Sequence, residues 1–125
     1  MATTHATIAV VEDDAGVRTA LQQLLRAAAF DTVTFASAEE FLEADGGAHV
    51  DCLIADVNLP GMNGVALLEA LAADGGREVP AVLITGRDDP GTSELIRHAG
   101  PVPSLHKPFT DGALFDAIHA ALRGV

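Results

Sequence analysis

Five polar side chains in this sequence, each close after a short apolar run, carry groups that could do chemistry together. They are Glu12 and Asp13 after residues 8–11, Asp56 after residues 52–55, Thr85 after residues 81–84, and Lys107 after Leu105. If those runs are parallel strands of one open sheet, all five groups lie at its carboxyl edge, where such sheets bind ligands. The spacing therefore predicts a functional site at that edge.

The acidic part of this set predicts a metal site. Two carboxylates about 4 Å apart repel each other by roughly 4 kcal/mol at an effective dielectric constant of 20, and one lysine cannot balance three of them. Mg²⁺ binds one or two carboxylates, keeps several waters and accepts oxygens of a phosphorylated ligand. We expect Asp13 and Asp56 to bind Mg²⁺ directly, with Mn²⁺ as an alternative ion. Glu12 would hold a metal-bound water, and the carbonyl oxygen of Asn58 would be a further ligand.

The same residues predict phosphoryl chemistry. An ionised aspartate beside a metal can attack phosphorus and form an acyl phosphate, which makes Asp56 the candidate nucleophile. The transition state carries charge on its equatorial oxygens, so the Lys107 amine and the Thr85 hydroxyl would stabilise it. Each residue taken singly has an ordinary alternative: surface carboxylates at strand ends, a Thr85 that caps a loop, and a Lys107 that lies on the surface.

Composition narrows the class of protein. The 125 residues carry a net charge of −11, which repels phosphate backbones, so we expect no direct contact with nucleic acid. The single cysteine, Cys52, lies inside an apolar run and is typical of a small core residue in a reducing compartment. No run approaches the roughly 18 apolar residues of a membrane span, and the first five residues do not resemble a secretion signal. These features predict a cytoplasmic protein without a membrane partner.

Short apolar runs alternate with longer amphipathic stretches, which is the pattern of a parallel sheet covered by helices on both faces. Strands are predicted at residues 7–11, 32–35, 51–55, from Pro80 onward, and at 102–106. The last contains Pro103 and must be a short edge strand, because proline cannot donate to an interior ladder. The helix signals are a cap at Asp14, a capping box at Ser37 and Glu40 with an end at Gly46 and Gly47, a start near Val65 with an end at Gly75 and Gly76, an end at Gly100, and a final helix over residues 110–122.

These residues resemble, over essentially the whole chain, the receiver domain of two-component response regulators, the CheY-like family. The motifs are Val11-Glu12-Asp13-Asp14, Asp56-x-x-x-Pro60-Gly61-x-x-Gly64, Ile84-Thr85-Gly86 and Lys107-Pro108-Phe109, in the family's order and spacing. The segment 35–42 is most similar to the FixJ type, whose members often carry a helix-turn-helix output domain. By this resemblance residues 1–125 form one receiver domain: an α/β, flavodoxin-like (βα)5 three-layer sandwich with five parallel strands in the order 2-1-3-4-5.

The resemblance also implies a function. A histidine kinase or phosphotransfer protein would donate a phosphoryl group to Asp56 with Mg²⁺ required, and the chain would catalyse its own phosphorylation and dephosphorylation. Catalytic roles fall to Asp56, Thr85 and Lys107. Asn58 and Arg87 occupy positions that tune the lifetime of the acyl phosphate in this family. A homodimer through the last two helices and the last strand is implied in the same way.

One departure from the family pattern concerns how the signal is read. The family usually has Phe or Tyr three residues before the lysine, where this chain has Ser104, flanked by Pro101 and Pro103. The usual coupling between the Thr85 position and that aromatic ring is therefore in question. This keeps open an alternative, a phosphorylation-independent receiver that acts as a binding module, although the intact acidic set and Lys107 weigh against it.

Two enzyme classes fit less well. The haloacid-dehalogenase type also uses an aspartate nucleophile, Mg²⁺, Thr and Lys, but places the nucleophile after its first strand and a second aspartate two residues later. Here the acidic pair comes first and Asn58 stands two residues after Asp56. A dinucleotide-binding fold is excluded because no Gly-x-Gly-x-x-Gly follows the first strand.

Overall fold

Strands and helices alternate along the chain, as the apolar pattern predicts. The computed structural model describes residues 6–44, 50–73 and 79–123. None of the helices in these ranges has the length and apolar character needed to cross a membrane. The elements are β1 (Thr7–Val11), α1 (Ala15–Ala27), β2 (Asp31–Phe35), α2 (Ala38–Glu43), β3 (Cys52–Asp56), α3 (Gly64–Ala73), β4 (Ala81–Thr85), α4 (Pro90–His98), β5 (Ser104–His106) and α5 (Asp111–Leu122).

The five strands form one parallel sheet in the order β2-β1-β3-β4-β5, which confirms the predicted fold class and strand order. The register aligns the ends of neighbouring strands. Asp56 at the end of β3 lies opposite Ile84, and Thr85 at the end of β4 lies opposite His106. Because every strand runs the same way, all five carboxyl ends meet at one edge of the sheet.

Side chains alternate between the two faces of the sheet and build a core on each. In β1, Ile8 and Val10 pack with residues of α1 and α5, whereas Ala9 and Val11 pack with residues of α2 and α3. β3 and β4 are buried along their whole length. Burial of each large aliphatic side chain contributes about 1.5–3 kcal/mol, so the central strands are held from both sides. The predicted three-layer arrangement is therefore observed.

Some strand boundaries differ by one or two residues from the predicted ones. β3 begins and ends one residue later than predicted, at Cys52 and Asp56, so that Asp56 is the last residue of the strand and not the first of the loop. β5 begins only at Ser104, since Pro103 has a carbonyl that accepts a hydrogen bond from the Leu83 N–H but no N–H of its own to donate. β5 lies at the sheet edge, as the prolines predict.

Helix caps follow the sequence signals closely. Asp14 accepts a hydrogen bond from the Val17 N–H at the start of α1, and Ser37 accepts one from the Glu40 N–H at the start of α2. The reciprocal half of the capping box is shifted by one residue, because the Glu40 carboxylate accepts from the Ala36 N–H. Gly100 follows α4 with a φ of +82°, a conformation that favours glycine at a helix end.

The predicted helix ends at Gly46 and Gly47 and at Gly75 and Gly76 lie outside the described residues.

Cys52 lies in the core and carries no chemistry of its own. It is buried within β3, and burial raises the pKa of its thiol to about 12. A thiol with so high a pKa stays protonated and unreactive at neutral pH. The interpretation of Cys52 as a small apolar core residue is confirmed.

Gly64, the first residue of α3, is predicted to tolerate no side chain. A Cβ there would lie 2.5 Å from the Asp56 carbonyl oxygen, whereas one at Gly112 in α5 would meet nothing within 4 Å. We expect Gly64→Ala to lower the free energy of unfolding by about 1–3 kcal/mol because backbone must shift. Gly112→Ala, the matched control, should leave it unchanged or raise it by up to about 1 kcal/mol. Urea denaturation measures both, and equal effects would contradict the predicted clash.

Candidate functional site

The sheet brings the predicted site residues together at its carboxyl edge. Glu12 follows β1, Asp56 and Thr85 end β3 and β4, and Lys107 follows β5. β3 lies between β1 and β4, so Asp56 stands between the acidic pair on one side and Thr85 on the other. These four residues therefore lie at or beside one edge of the sheet, as the sequence predicts.

Lys107 contacts both buried carboxylates of the site, those of Glu12 and Asp56. Its Nζ donates to the Glu12 Oε1 at 2.7 Å and to the Asp56 Oδ2 at 2.9 Å. Its side chain is 23% exposed, and those of Glu12 and Asp56 are 1% and 8% exposed. The alternative of a surface lysine is wrong: this amine lies between two buried carboxylates. Lys107 is also the only lysine in the sequence.

Burial and charge shift the pKa values of this group in defined directions. Burial raises the pKa of the Glu12 carboxyl, and hydrogen bonds from Lys107 and the Asp14 N–H offset part of that effect. Burial alone would lower the pKa of the Lys107 ammonium, but its hydrogen bonds to Glu12 and Asp56 outweigh this and raise it. The lysine is thus held in its charged form between the carboxylates.

Asp13 completes an acidic cluster that opens to solvent. Oxygen atoms of Glu12, Asp13 and Asp56 all lie within 4.8 Å of one another, and Asp13 is exposed while the other two are buried. Carboxylate oxygens are the donors that hard divalent cations prefer. The donor chemistry and spacing fit the predicted metal site.

Asn58 takes part through more than its carbonyl oxygen. Its backbone N–H donates to the Asp56 Oδ1 at 2.7 Å. Its side-chain carbonyl accepts from the Thr85 hydroxyl at 2.7 Å, and its side-chain N–H₂ donates to the Thr92 hydroxyl at 3.0 Å. The role predicted for its backbone carbonyl remains a prediction. The amide itself links β3, β4 and α4.

The sequence interpretation missed three supporting residues. Arg18 on α1 donates through Nη1 to the Glu12 carbonyl at 2.8 Å, and Glu39 on α2 accepts from the Met62 N–H in the loop after Asp56. Thr92 is buried and accepts from Asn58. Asp89 three residues before Thr92 is a cap signal for a helix start, but no local pattern indicates a contact with a residue 34 positions earlier.

The position three residues before Lys107 holds Ser104 and so lacks an aromatic ring. Ser104 begins β5, is exposed, and lies opposite Leu83 in the ladder. The five phenylalanines lie at residues 30, 35, 41, 109 and 115, outside β5. Ser104 therefore offers no ring that could turn toward Thr85.

Comparisons with known proteins agree in sequence and in fold. Residues 8–119 match the family described as the response regulator receiver domain. The transcriptional regulatory protein FixJ of Bradyrhizobium diazoefficiens is 36% identical over 121 residues, covering 97% of this chain and 58% of that protein. Full-length FixJ from B. japonicum superposes with a TM-score of 0.84 at 36% identity, covering 97% of this chain and 59% of that one.

A response regulator receiver protein from Burkholderia phymatum superposes with a TM-score of 0.79 at 36% identity, covering 94% of this chain and 95% of that one. The chain spans about half the length of the curated relatives it matches.

Glu12 and Glu39 are predicted to give opposite pH dependences of stability. Burial raises the pKa of Glu12, so the folded state binds its proton more tightly and loses stability as pH rises above the ordinary value of 4.5. Glu12→Gln should therefore gain stability relative to the natural protein as pH rises. The hydrogen bond from the Met62 N–H lowers the pKa of Glu39, which contributes stability above 4.5 that is lost as pH falls through the lowered pKa.

Glu39→Gln should accordingly lose stability relative to the natural protein as pH rises. Urea denaturation of the three proteins between pH 2.5 and pH 8 measures both trends, that of Glu39 below pH 4.5 and that of Glu12 above it. If both variants changed in the same direction with pH, the opposite pKa shifts of Glu12 and Glu39 would be contradicted.

Proposed function

Because this chain belongs to the response regulator receiver family of two-component systems, we propose that it is a switch whose state is set by a phosphoryl group on Asp56. The observation that carries the proposal is the charge arrangement at the sheet edge. One ammonium bridges the Glu12 and Asp56 carboxylates, and Asp13 opens the cluster to solvent. An acidic site of this kind can receive a phosphoryl group only where cations balance its charge.

Asp56 is the proposed acceptor because its position and orientation are fixed. Its Oδ1 accepts from the Asn58 N–H and its Oδ2 from Lys107, so its carboxylate does not rotate freely. It ends a central strand, between the acidic pair and Thr85. Holding a nucleophile in one orientation lowers the entropy that must be lost in the transition state.

The proposed reaction transfers a phosphoryl group from a donor molecule to Asp56. A carboxylate oxygen of Asp56 attacks phosphorus, the bond from phosphorus to the donor breaks, and its electron pair leaves with the donor. The donor atom is an imidazole nitrogen of a histidine kinase or phosphotransfer protein, or the acetate oxygen of acetyl phosphate. Attack of water on the phosphorus of the resulting acyl phosphate restores the carboxylate and releases inorganic phosphate.

A divalent cation is part of this proposal. Glu12, Asp13 and Asp56 would hold Mg²⁺ or Mn²⁺, with the carbonyl oxygen of Asn58 as a further ligand. Such an ion supplies charge neutralisation to the phosphoryl oxygens when bound.

Lys107 and Thr85 have distinct proposed roles. The Lys107 ammonium already contacts Asp56 and would pair with a phosphoryl oxygen attached there. The Thr85 hydroxyl, buried at the end of the next strand, would donate to another. Both groups add charge or a donor where the transition state carries negative charge.

The proposal also covers the partners of the protein and its location in the cell. Receiver domains interact with histidine kinases and phosphotransfer proteins, and we propose one of these as the donor, with residues 1–125 as one receiver domain in the cytoplasm. A homodimer through α4, β5 and α5 is proposed for the phosphorylated state. The net charge of −11 opposes direct binding of nucleic acid by this domain. In a longer protein, an output domain would make that contact, as the name of the transcriptional regulator FixJ suggests for that relative.

Ser104 supports the competing proposal of a binding module that does not use phosphorylation. The exposed serine lacks the ring through which relatives of this kind read their state. The two proposals give opposite results in one assay.

Incubation with acetyl phosphate and Mg²⁺ is expected to add one phosphoryl group, because the Asp56 carboxylate is oriented by the Asn58 N–H and paired with Lys107. Intact-mass spectrometry measures the gain. Asp56→Asn should show none, Asp116→Asn on the exposed part of α5 should behave as the natural protein, and EDTA should abolish the gain. An unmodified natural protein would favour the binding module.

A further inference from the structure

A closed ring of hydrogen bonds lies beside the phosphorylation site. The Thr85 hydroxyl donates to the Asn58 Oδ1 at 2.7 Å, and the Asn58 Nδ2 donates to the Thr92 Oγ1 at 3.0 Å. The Thr92 backbone N–H donates to the Asp89 Oδ1 at 2.7 Å. Asp89 pairs with the Arg87 Nε at 3.2 Å, and the Arg87 backbone N–H returns to the Thr85 Oγ1 at 3.1 Å.

Two bonds of the ring have directions that follow from the chemistry of their groups. A carboxylate only accepts and a backbone N–H only donates, so the Thr92 N–H donates to Asp89 and the Arg87 N–H donates to the Thr85 hydroxyl. The Thr92 Oγ1 accepts from the Asn58 Nδ2. The Asn58 amide presents its oxygen to Thr85, whose hydroxyl donates to it at 2.7 Å, a shorter contact than the 3.5 Å to the Arg87 carbonyl oxygen.

Thr92 is also the one buried residue of α4 in the described structure, with 3% of its surface exposed. Leu95 and Ile96 on the same helix are only partly buried. An amphipathic helix ordinarily buries apolar residues. Here the buried position near the helix start is a hydroxyl, bonded to a residue of the loop that follows Asp56.

We propose that Thr92 is a positioning residue: by holding the Asn58 amide it holds the Thr85 hydroxyl away from a phosphoryl group, and so couples the state of Asp56 to the start of α4. This inference rests on the proposed function. A phosphoryl oxygen and the Asn58 Oδ1 compete for the one Thr85 hydrogen. When the phosphoryl group takes it, the ring opens at that bond and α4 loses part of its polar anchor.

This coupling uses a route that does not require an aromatic ring at Ser104. The link runs from the end of β4 through the loop after β3 to α4, and β5 is not part of it. A hydroxyl and an amide carry it by exchanging hydrogen-bond partners. The serine then changes the route of the signal and does not remove it.

The test compares Thr92→Val with Thr92→Ser. Fluoroberyllate with saturating Mg²⁺ mimics the phosphoryl group, and calorimetry measures its affinity because the chain has no tryptophan or tyrosine. Thr92→Val removes the acceptor of Asn58, weakens the unliganded arrangement, and should tighten binding about 3- to 10-fold, the factor that one hydrogen bond is worth. Thr92→Ser keeps the hydroxyl and should bind within about 2-fold of the natural protein.

Two further measurements separate positioning from a general structural role. In an Asn58→Ala background, which itself frees the Thr85 hydrogen, Thr92→Val should add no further change, because both substitutions break the same link. Fluoroberyllate should speed amide hydrogen exchange over residues 90–98 in the natural protein and less so in Thr92→Val.

Equal or weaker binding by Thr92→Val, equal behaviour of the Val and Ser variants, or additive effects with Asn58→Ala would each overturn the inference. If Thr92→Val does not fold, Asn58→Ala tests the same link from its other side, and unchanged affinity there overturns it. A natural protein that neither binds fluoroberyllate nor takes up phosphate from acetyl phosphate overturns the proposed function as well. Normal uptake with unchanged affinities overturns only the role of Thr92.

Discussion

The rest of this structure depends on two buried carboxylates, those of Glu12 and Asp56, that share the Lys107 ammonium. Glu12 and Asp56 contact Lys107 from positions 95 and 51 residues away in the sequence. The amine offsets much of the cost of burying the two acids, since an unpaired buried charge costs several kcal/mol. The three residues therefore require β1, β3 and the end of β5 to meet at one edge. The parallel sheet meets this requirement, and the acidic cluster with its solvent-exposed Asp13 follows from it.

The loop after Asp56 is held by elements that carry no reacting group. Gly64 brings the start of α3 against the Asp56 carbonyl, closer than any side chain would permit. Glu39 reaches from α2 to the Met62 N–H, and the Asn58 amide binds across to β4 and α4. The nucleophile is thus oriented by a loop fastened at several points, which gives it less freedom than a loop residue ordinarily has.

The sequence predicts the parts of this structure that depend on periodicity and on chain direction. Strand order aside, the position of Glu12, Asp56, Thr85 and Lys107 at one edge follows from short apolar runs alternating with helices. The resemblance to receiver domains supplied the strand order. The link from Asn58 to Thr92 could not be predicted, because it depends on a side-chain rotamer and on where α4 lies against the sheet. The late start of β5 depends likewise on the absent N–H of Pro103.

The position of Lys107 has a practical consequence for handling the protein. Since it is the only lysine in the sequence, reagents that acylate lysine side chains have the site itself as their target there. Attachment of an acyl group to Lys107 would remove the positive charge between Glu12 and Asp56. Amine coupling to a sensor surface or to a fluorescent dye would therefore block the site in the fraction of molecules that react there. Labels and tethers are better placed through an introduced cysteine on an exposed helix face, since Cys52 is buried and unreactive.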